Sequence, residues 1–145
     1  MKEYKPKIIC FACKFGWGYL EGDALRRIEG LVPVICSGKV DTTHIIEAFA
    51  HGADGVLVLG CPEGECHFQI GNYQARKRLL LLRKTLRSLG IEPQRIQYRL
   101  ENDPEGSRIQ MIMDEMAAAI KELGPLKKRD VGNPENHNAR IPHAG

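Results

Sequence analysis

The stretch Gly55–Leu59 reads Gly-Val-Leu-Val-Leu and has no polar side chain on either alternating face. A strand that is apolar on both faces must be covered on both, which is the mark of a parallel sheet held between helices. The rest of the chain agrees with that constraint. Lys7–Cys10 is a short β-rich run, Leu31–Ile35 (LVPVI) is a second compact apolar one, and Arg95–Leu100 supplies a fourth strand candidate. Helix signals fall between them. A polar helix candidate lies around Gly22–Glu29. Asp41 reads as the N-cap of a helix over Thr42–His51 that Gly52 closes, and a long helix runs from about Asn72 to Leu89 before Gly90. A last helix over Pro104–Leu123 places Ile109, Ile112, Met113, Met116, Ile120 and Leu123 on one face, and Gly124-Pro125 stops it. Units of β then α in series, joined by right-handed crossovers, put helices on both sides of a sheet. The expected fold is therefore a small doubly wound, flavodoxin-like α/β domain with a four-stranded parallel sheet in the order 2-1-3-4.

At 145 residues the chain is long enough for one core. Residues 1–124 are expected to form that domain. Residues 125–145 are polar, proline-containing and without periodicity, and read as an extended tail that wraps along a neighbouring subunit. A net charge of +3 is too small to argue for nucleic acid. The longest apolar runs fall far short of the ~20 residues of a membrane span. The first nine residues carry three lysines and a proline but no apolar stretch of the secretory kind, so the expected compartment is the cytoplasm.

The unusual feature is five cysteines, all in the first half of the chain: Cys10, Cys13, Cys36, Cys61 and Cys66. In a reducing compartment, such cysteines more often bind metal or do redox work than form structural disulfides. On the expected frame, Cys10 ends the first strand, Cys13 lies in the following loop, Cys36 follows the second strand, and Cys61 and Cys66 share the loop after the third. All five would collect at the carboxyl ends of the strands, where open α/β sheets bind their ligands. Four converging thiolates hold either zinc or an iron–sulfur cluster. The first pair has chelate spacing, but the second is spaced by four and a lone Cys36 intervenes, unlike the two short pairs of a zinc knuckle. Gly16, Gly18, Gly38, Gly60 and Gly64 add bare backbone N–H groups able to approach cluster sulfurs, which favours iron–sulfur chemistry. A zinc-stabilised adaptor joining two larger subunits is the alternative.

Two other motifs are decoys. Gly16-Trp-Gly18 with Gly22 has the wrong spacing for a dinucleotide fingerprint, and Cys36 occupies the place of the ribose-binding acid. A thioredoxin-type Cys-x-x-Cys opens a helix, for which Phe11–Gly18 is poorly suited. His67, directly after Cys66, is a minor candidate ligand. His44 and His51 are expected to face solvent. Arg76, Lys77, Arg78, Arg83, Lys84 and Arg87 make the third helix basic, most simply as a solvated face. Trp17 and Tyr19 are placed to pack over the thiol site or to meet a partner.

In sequence, Cys10-Phe-Ala-Cys13, Cys36-Ser-Gly-Lys-Val-Asp41 and Gly-Ala-Asp-Gly-Val-Leu-Val-Leu-Gly-Cys61-Pro-Glu-Gly-Glu-Cys66-His67, followed by Gly71-Asn72, resemble the delta (iron–sulfur) subunit of methyl-viologen-reducing hydrogenase. The resemblance covers about residues 5–123. It implies a 2Fe–2S cluster held by four of the five cysteines. The implied role is the relay of electrons between a hydrogenase and the flavin-containing subunit of heterodisulfide reductase, within flavin-based electron bifurcation. A formate dehydrogenase or a methylene-tetrahydrofolate reductase could equally be the donor. Family members often carry a polar–Trp pair where this chain has Phe11-Ala12. Nothing in the chain looks like a substrate site, so a non-catalytic electron-transfer subunit is expected. On spacing and position, Cys10, Cys13 and Cys61 are expected to ligate, with one of Cys36 and Cys66 just outside the ligand shell.

Overall fold

Every side chain of the Gly55–Gly60 strand is buried, and the rest of the fold is arranged around it. The computed structural model describes residues 3–18, 27–62, 64–66 and 70–126. Its elements are β1 (Ile8–Cys13), β2 (Leu31–Val34), α1 (Thr42–Ala50), β3 (Gly55–Gly60), α2 (Gly71–Ser88), β4 (Ile96–Leu100) and α3 (Ile109–Leu123). The strands form one sheet in the order β2-β1-β3-β4, and every pairing is parallel. That is the expected topology. Val56, Leu57, Val58 and Leu59 are each at most 1% exposed. Burying four such side chains contributes about 6–12 kcal/mol, comparable with the whole net stability of a domain.

Alternation along the strands divides the core in two. Ile8, Cys10, Ala12, Leu57 and Leu59 pack with Ile109, Ile112, Met113, Met116 and Ile120 of α3. On the opposite face Phe11, Val56 and Val58 meet Ile45 and Phe49 of α1 and Leu79, Leu82 and Leu86 of α2. The sheet is therefore covered on both sides, as its apolar central strand requires.

Asp41 caps α1 as expected: its Oδ1 accepts from the Thr42 N–H at 2.6 Å, and His44 Nδ1 accepts from the Asp41 N–H at 2.9 Å. A histidine thus closes a capping box in the place usually held by Glu or Gln. Other boundaries differ from expectation. β1 runs on to Cys13, three residues past the expected end. α3 starts at Ile109 rather than near Pro104, because Asp103 Oδ2 accepts from the Arg108 N–H at 2.9 Å and holds the preceding residues in a turn. Of the Gly22–Glu29 helix candidate, residues 22–26 lie outside the described residues, and 27–29 form a turn instead. The 125–145 tail lies outside them from residue 127 onward.

At the end of the sheet away from the thiols, Arg95 is 1% exposed. It donates to Glu92 Oε2 at 2.7 Å, Asp54 O at 3.0 Å and Gly124 O at 2.6 Å. A buried cation is tolerated there because all of these acceptors surround it.

Candidate metal centre

Parallel strands deliver every following loop to one edge of the sheet, and four cysteines arrive there. Cys13 is the last residue of β1, Cys36 follows β2 by one residue, and Cys61 and Cys66 flank the loop after β3. Cys13 Sγ lies 3.6 Å from Cys61 Sγ, and Cys36 Sγ lies 3.8 Å from Cys66 Sγ. All are thiols rather than disulfides; Cys66 is half-buried and the others buried. Burial is the first cause that pushes the Cys36 thiol pKa up; the Gly38 N–H opposes it, and the hydrogen bond with Cys66 and the charges of Cys66 and Cys13 raise it further. Among the described residues, no three His, Cys, Asp or Glu side chains meet around one point as the donors to a single ion.

Cys10 is not in this group, and its expected position at the end of β1 is corrected. It sits in mid-strand, opposite Leu31 of β2 and Leu57 of β3, with its side chain in the core under α3. Cys13, at the strand end, belongs to the same buried cluster but brings its sulfur to Cys61. Burial alone pushes the Cys10 thiol up to about 12, so it stays a neutral thiol.

Three side chains tie the thiol-bearing loops together. Trp17, 1% exposed, donates from Nε1 to Gly60 O at 3.0 Å and holds the loop after β1 against the end of β3. Asn72, fully buried in the first turn of α2, donates from Nδ2 to Cys61 O at 3.1 Å and Pro62 O at 2.8 Å. Arg78 donates to Gly38 O at 3.1 Å and Val40 O at 2.6 Å, fixing the loop that carries Cys36. Sequence reasoning missed the roles of Asn72 and Arg78. By sequence Arg78 belongs to the basic face of the helix, and an arginine within an otherwise solvated run carries no sign of its partners. Replacing Asn72 by Ala leaves the Cys61 and Pro62 carbonyls without these donors. We expect a loss of about 1–3 kcal/mol in urea unfolding, with a lower retained metal content.

The surroundings fit a bulky group at the thiols. A Cβ added to Gly71 would stand 2.2 Å from Cys36 Sγ, and one on Gly16 would stand 2.9 Å from Cys61 Sγ. Both glycines leave room that any side chain would fill. Ser37 Oγ, beside Cys36, is buried with no hydrogen-bond partner among the described residues, as suits a site that is completed by a further group.

The remaining candidates are distributed as follows. His44 and His51 are exposed on and just after α1, and His44 serves the cap described above. His67 and Tyr19 lie outside the described residues. Arg83 donates to Pro93 O at 3.2 Å, so Arg78 and Arg83 are both structural. Arg76, Lys77, Lys84 and Arg87 are exposed on α2. No helix among the described residues is long and apolar enough to cross a membrane.

Fold and rim together define a class: a flavodoxin-like α/β domain that gathers four thiols, as two pairs, at the carboxyl edge of its sheet. Within that class the chain belongs to the family of the methyl-viologen-reducing hydrogenase delta subunit, whose model matches residues 23–124. It is 40% identical over 133 residues to the iron-sulfur subunit of the F420-non-reducing hydrogenase of Archaeoglobus profundus, covering 87% of this chain and 96% of that protein. An iron-sulfur subunit of the same type, named vhc, from Methanococcus voltae is 33% identical, with 89% and 94% covered. The chain is also 33% identical to part of a larger protein, a subunit of the Ferredoxin/F(420)H(2)-dependent CoB-CoM heterodisulfide reductase of Methanosarcina acetivorans. There the match takes in 81% of this chain but 15% of the larger protein.

Proposed function

We propose that the chain is a non-catalytic electron-transfer subunit that holds a 2Fe–2S cluster through Cys13, Cys36, Cys61 and Cys66. It would pass single electrons between a hydrogenase or another dehydrogenase and a flavin-containing subunit of the heterodisulfide-reductase type, within an electron-bifurcating assembly. The reading revises the sequence expectation by leaving Cys10 as the spare thiol. The observation that carries it is the spacing of the sulfurs, 3.6 Å and 3.8 Å in two separate pairs. A tetrahedral metal with thiolate bonds of about 2.3 Å sets its sulfurs about 3.8 Å apart. Each pair therefore has the spacing of two ligands on one metal, and two such pairs suit two irons. A single zinc would draw all four sulfurs to that spacing.

When bound, the cluster supplies one-electron redox chemistry. The chain supplies four thiolates, amide donors and a mostly water-free rim. The presence of a homologous segment within the heterodisulfide reductase protein of M. acetivorans supports a working position beside such a protein. A cytoplasmic setting, in which thiols stay reduced, suits five cysteines without a disulfide. The test is an anaerobically purified full-length sample. About two irons and two sulfides per chain, with visible absorption bleached by dithionite, are expected on the four-thiolate cluster chemistry. A colourless protein holding one zinc overturns the relay and leaves the structural adaptor.

A further inference from the structure

The outward face of α2 is apolar where a surface helix is normally most polar. Leu79, Leu82 and Leu86 turn into the core beside α1. At 3.6 residues per turn the opposite line of the helix runs through Ile70, at the N-cap, and then Tyr73, Lys77, Leu80, Leu81 and Lys84. A helix with one face on a core is expected to be polar along that line. Instead Ile70 is 57% exposed, Tyr73 40%, Leu80 38% and Leu81 68%. Apolar side chains gathered on one line, with polar ones around them, mark a contact surface. The charge of α2 is as one-sided. It carries six basic residues and no acidic one. The chain has 21 basic and 18 acidic residues, so outside α2 15 basic stand against 18 acidic and the balance is −3. Arg78 and Arg83 hold backbone carbonyls, while Arg76, Lys77, Lys84 and Arg87 are exposed. An apolar centre among cations matches a protein surface with an apolar centre and carboxylates around it, since opposite charges steer the approach and apolar contact holds it. Two other occupants fit worse. Residues 127–145 carry four basic residues and two acidic, and a second copy presenting this face brings the same six cations, so either meets like charge.

We propose that the outward face of α2 is the docking surface for a redox-partner protein whose contact patch has an apolar centre and a carboxylate margin. For the partner's redox role the inference rests on the electron-relay reading above. The position of the face suits that role, because it begins at the thiol edge. The Cβ position of Gly71 is 2.2 Å from Cys36 Sγ, and Asn72 holds the Cys61 carbonyl at 3.1 Å. A protein seated on Ile70 and Tyr73 therefore stands beside the thiols. Lys77 and Lys84 draw in its acidic margin, and Leu80 and Leu81 extend the apolar contact away from the edge.

The test uses the full-length chain in its own assembly, purified anaerobically through an affinity tag. A carbodiimide, which joins an amine directly to a carboxylate, is expected to couple Lys77 and Lys84 to Asp or Glu of a partner subunit, located by peptide mass spectrometry. In Lys77→Glu/Lys84→Glu the partner retained per chain is expected to fall about ten-fold at ~50 mM salt. Raising the salt to ~300 mM should then remove little more, since the attraction that salt screens is gone. Leu81→Gln keeps a good helix former at an exposed position. It is expected to lower retention about three-fold with the salt dependence of the parent. Iron content and thermal melts of both variants are expected to match the parent, because these side chains hold neither a thiol loop nor the core. Unchanged retention in both variants, carbodiimide links confined to this chain, or nucleic acid in place of protein as the material lost with the lysines overturns the inference and leaves the relay reading intact. A parent chain that retains its partner but holds no iron and sulfide overturns the relay reading, and with it the partner's redox role.

Discussion

Single alanine substitutions at Cys13, Cys36, Cys61 and Cys66 are expected to strip most of the iron from the anaerobically purified protein, and Cys10→Ala to leave it in place. The contrast follows from the two pairs of sulfurs at 3.6 Å and 3.8 Å. Each is short enough for a shared metal, so the loss of either sulfur opens that metal's coordination. Cys10 has its side chain in the core against α3, in mid-strand between Leu31 of β2 and Leu57 of β3, and its sulfur belongs to neither pair. Removing its sulfur leaves a small void in packed surroundings. By analogy with the loss of one methyl-sized group, it costs about 0.5–1.5 kcal/mol. The measurements are iron and sulfide per chain, visible absorption, and a urea melt for each variant. Full iron retention in Cys13→Ala together with its loss in Cys10→Ala would falsify the four-thiol assignment. The folded, metal-loaded protein should also leave Cys10 unmodified by iodoacetamide at neutral pH, because burial excludes the reagent and suppresses the thiolate.

Gly71→Ala is expected to cut iron retention more than two-fold. The new methyl would stand 2.2 Å from Cys36 Sγ and 3.4 Å from Cys66 Sγ, so the start of α2 or the Cys36 loop must move. Alanine gains up to about 1 kcal/mol of helix propensity over glycine, while overpacking costs about 1–3 kcal/mol. At so short an approach the clash decides the sign. Gly90→Ala is the control: its φ is +90° and no atom lies within 4 Å of its Cβ position. That variant should carry only backbone strain of about 1–2 kcal/mol and keep its iron. Equal iron loss in the two variants would mean that general destabilisation, and not the close approach at the thiols, sets the effect. Iron content after gel filtration, beside thermal melts, separates these outcomes.

The parallel sheet was legible because β3 is apolar on both faces, a pattern that only a doubly covered strand accommodates. The cap at Asp41 was legible because capping is local chemistry within four residues. The collection of thiols on one rim was legible too, since a parallel sheet sends the loops after its strands to the same edge. The apolar continuation Phe11-Ala12 is the available sign that β1 runs past Cys10. Chelate spacing points the other way, to a strand that ends at Cys10 with Cys13 in the loop beyond it.

By itself, then, the sequence determined the sheet, its order, the two helical layers, and the edge at which cysteines following strands must gather. Those features follow from periodicity and local chain chemistry, which are written along the chain. Only the tertiary structure decided which thiols meet. The pairings Cys13 with Cys61 and Cys36 with Cys66 span 48 and 30 residues. They depend on where β1 stops, on the register that sets Cys13 opposite Val34, and on Trp17, Asn72 and Arg78 drawing separate loops onto the start of α2 and the end of β3. Where a strand ends decides which of its residues reach the rim and which stay between paired neighbours, and β1 runs on to Cys13. Spacing along the chain does not record that end point, and for Cys10 it is the difference between the edge and a mid-strand place in the core under α3.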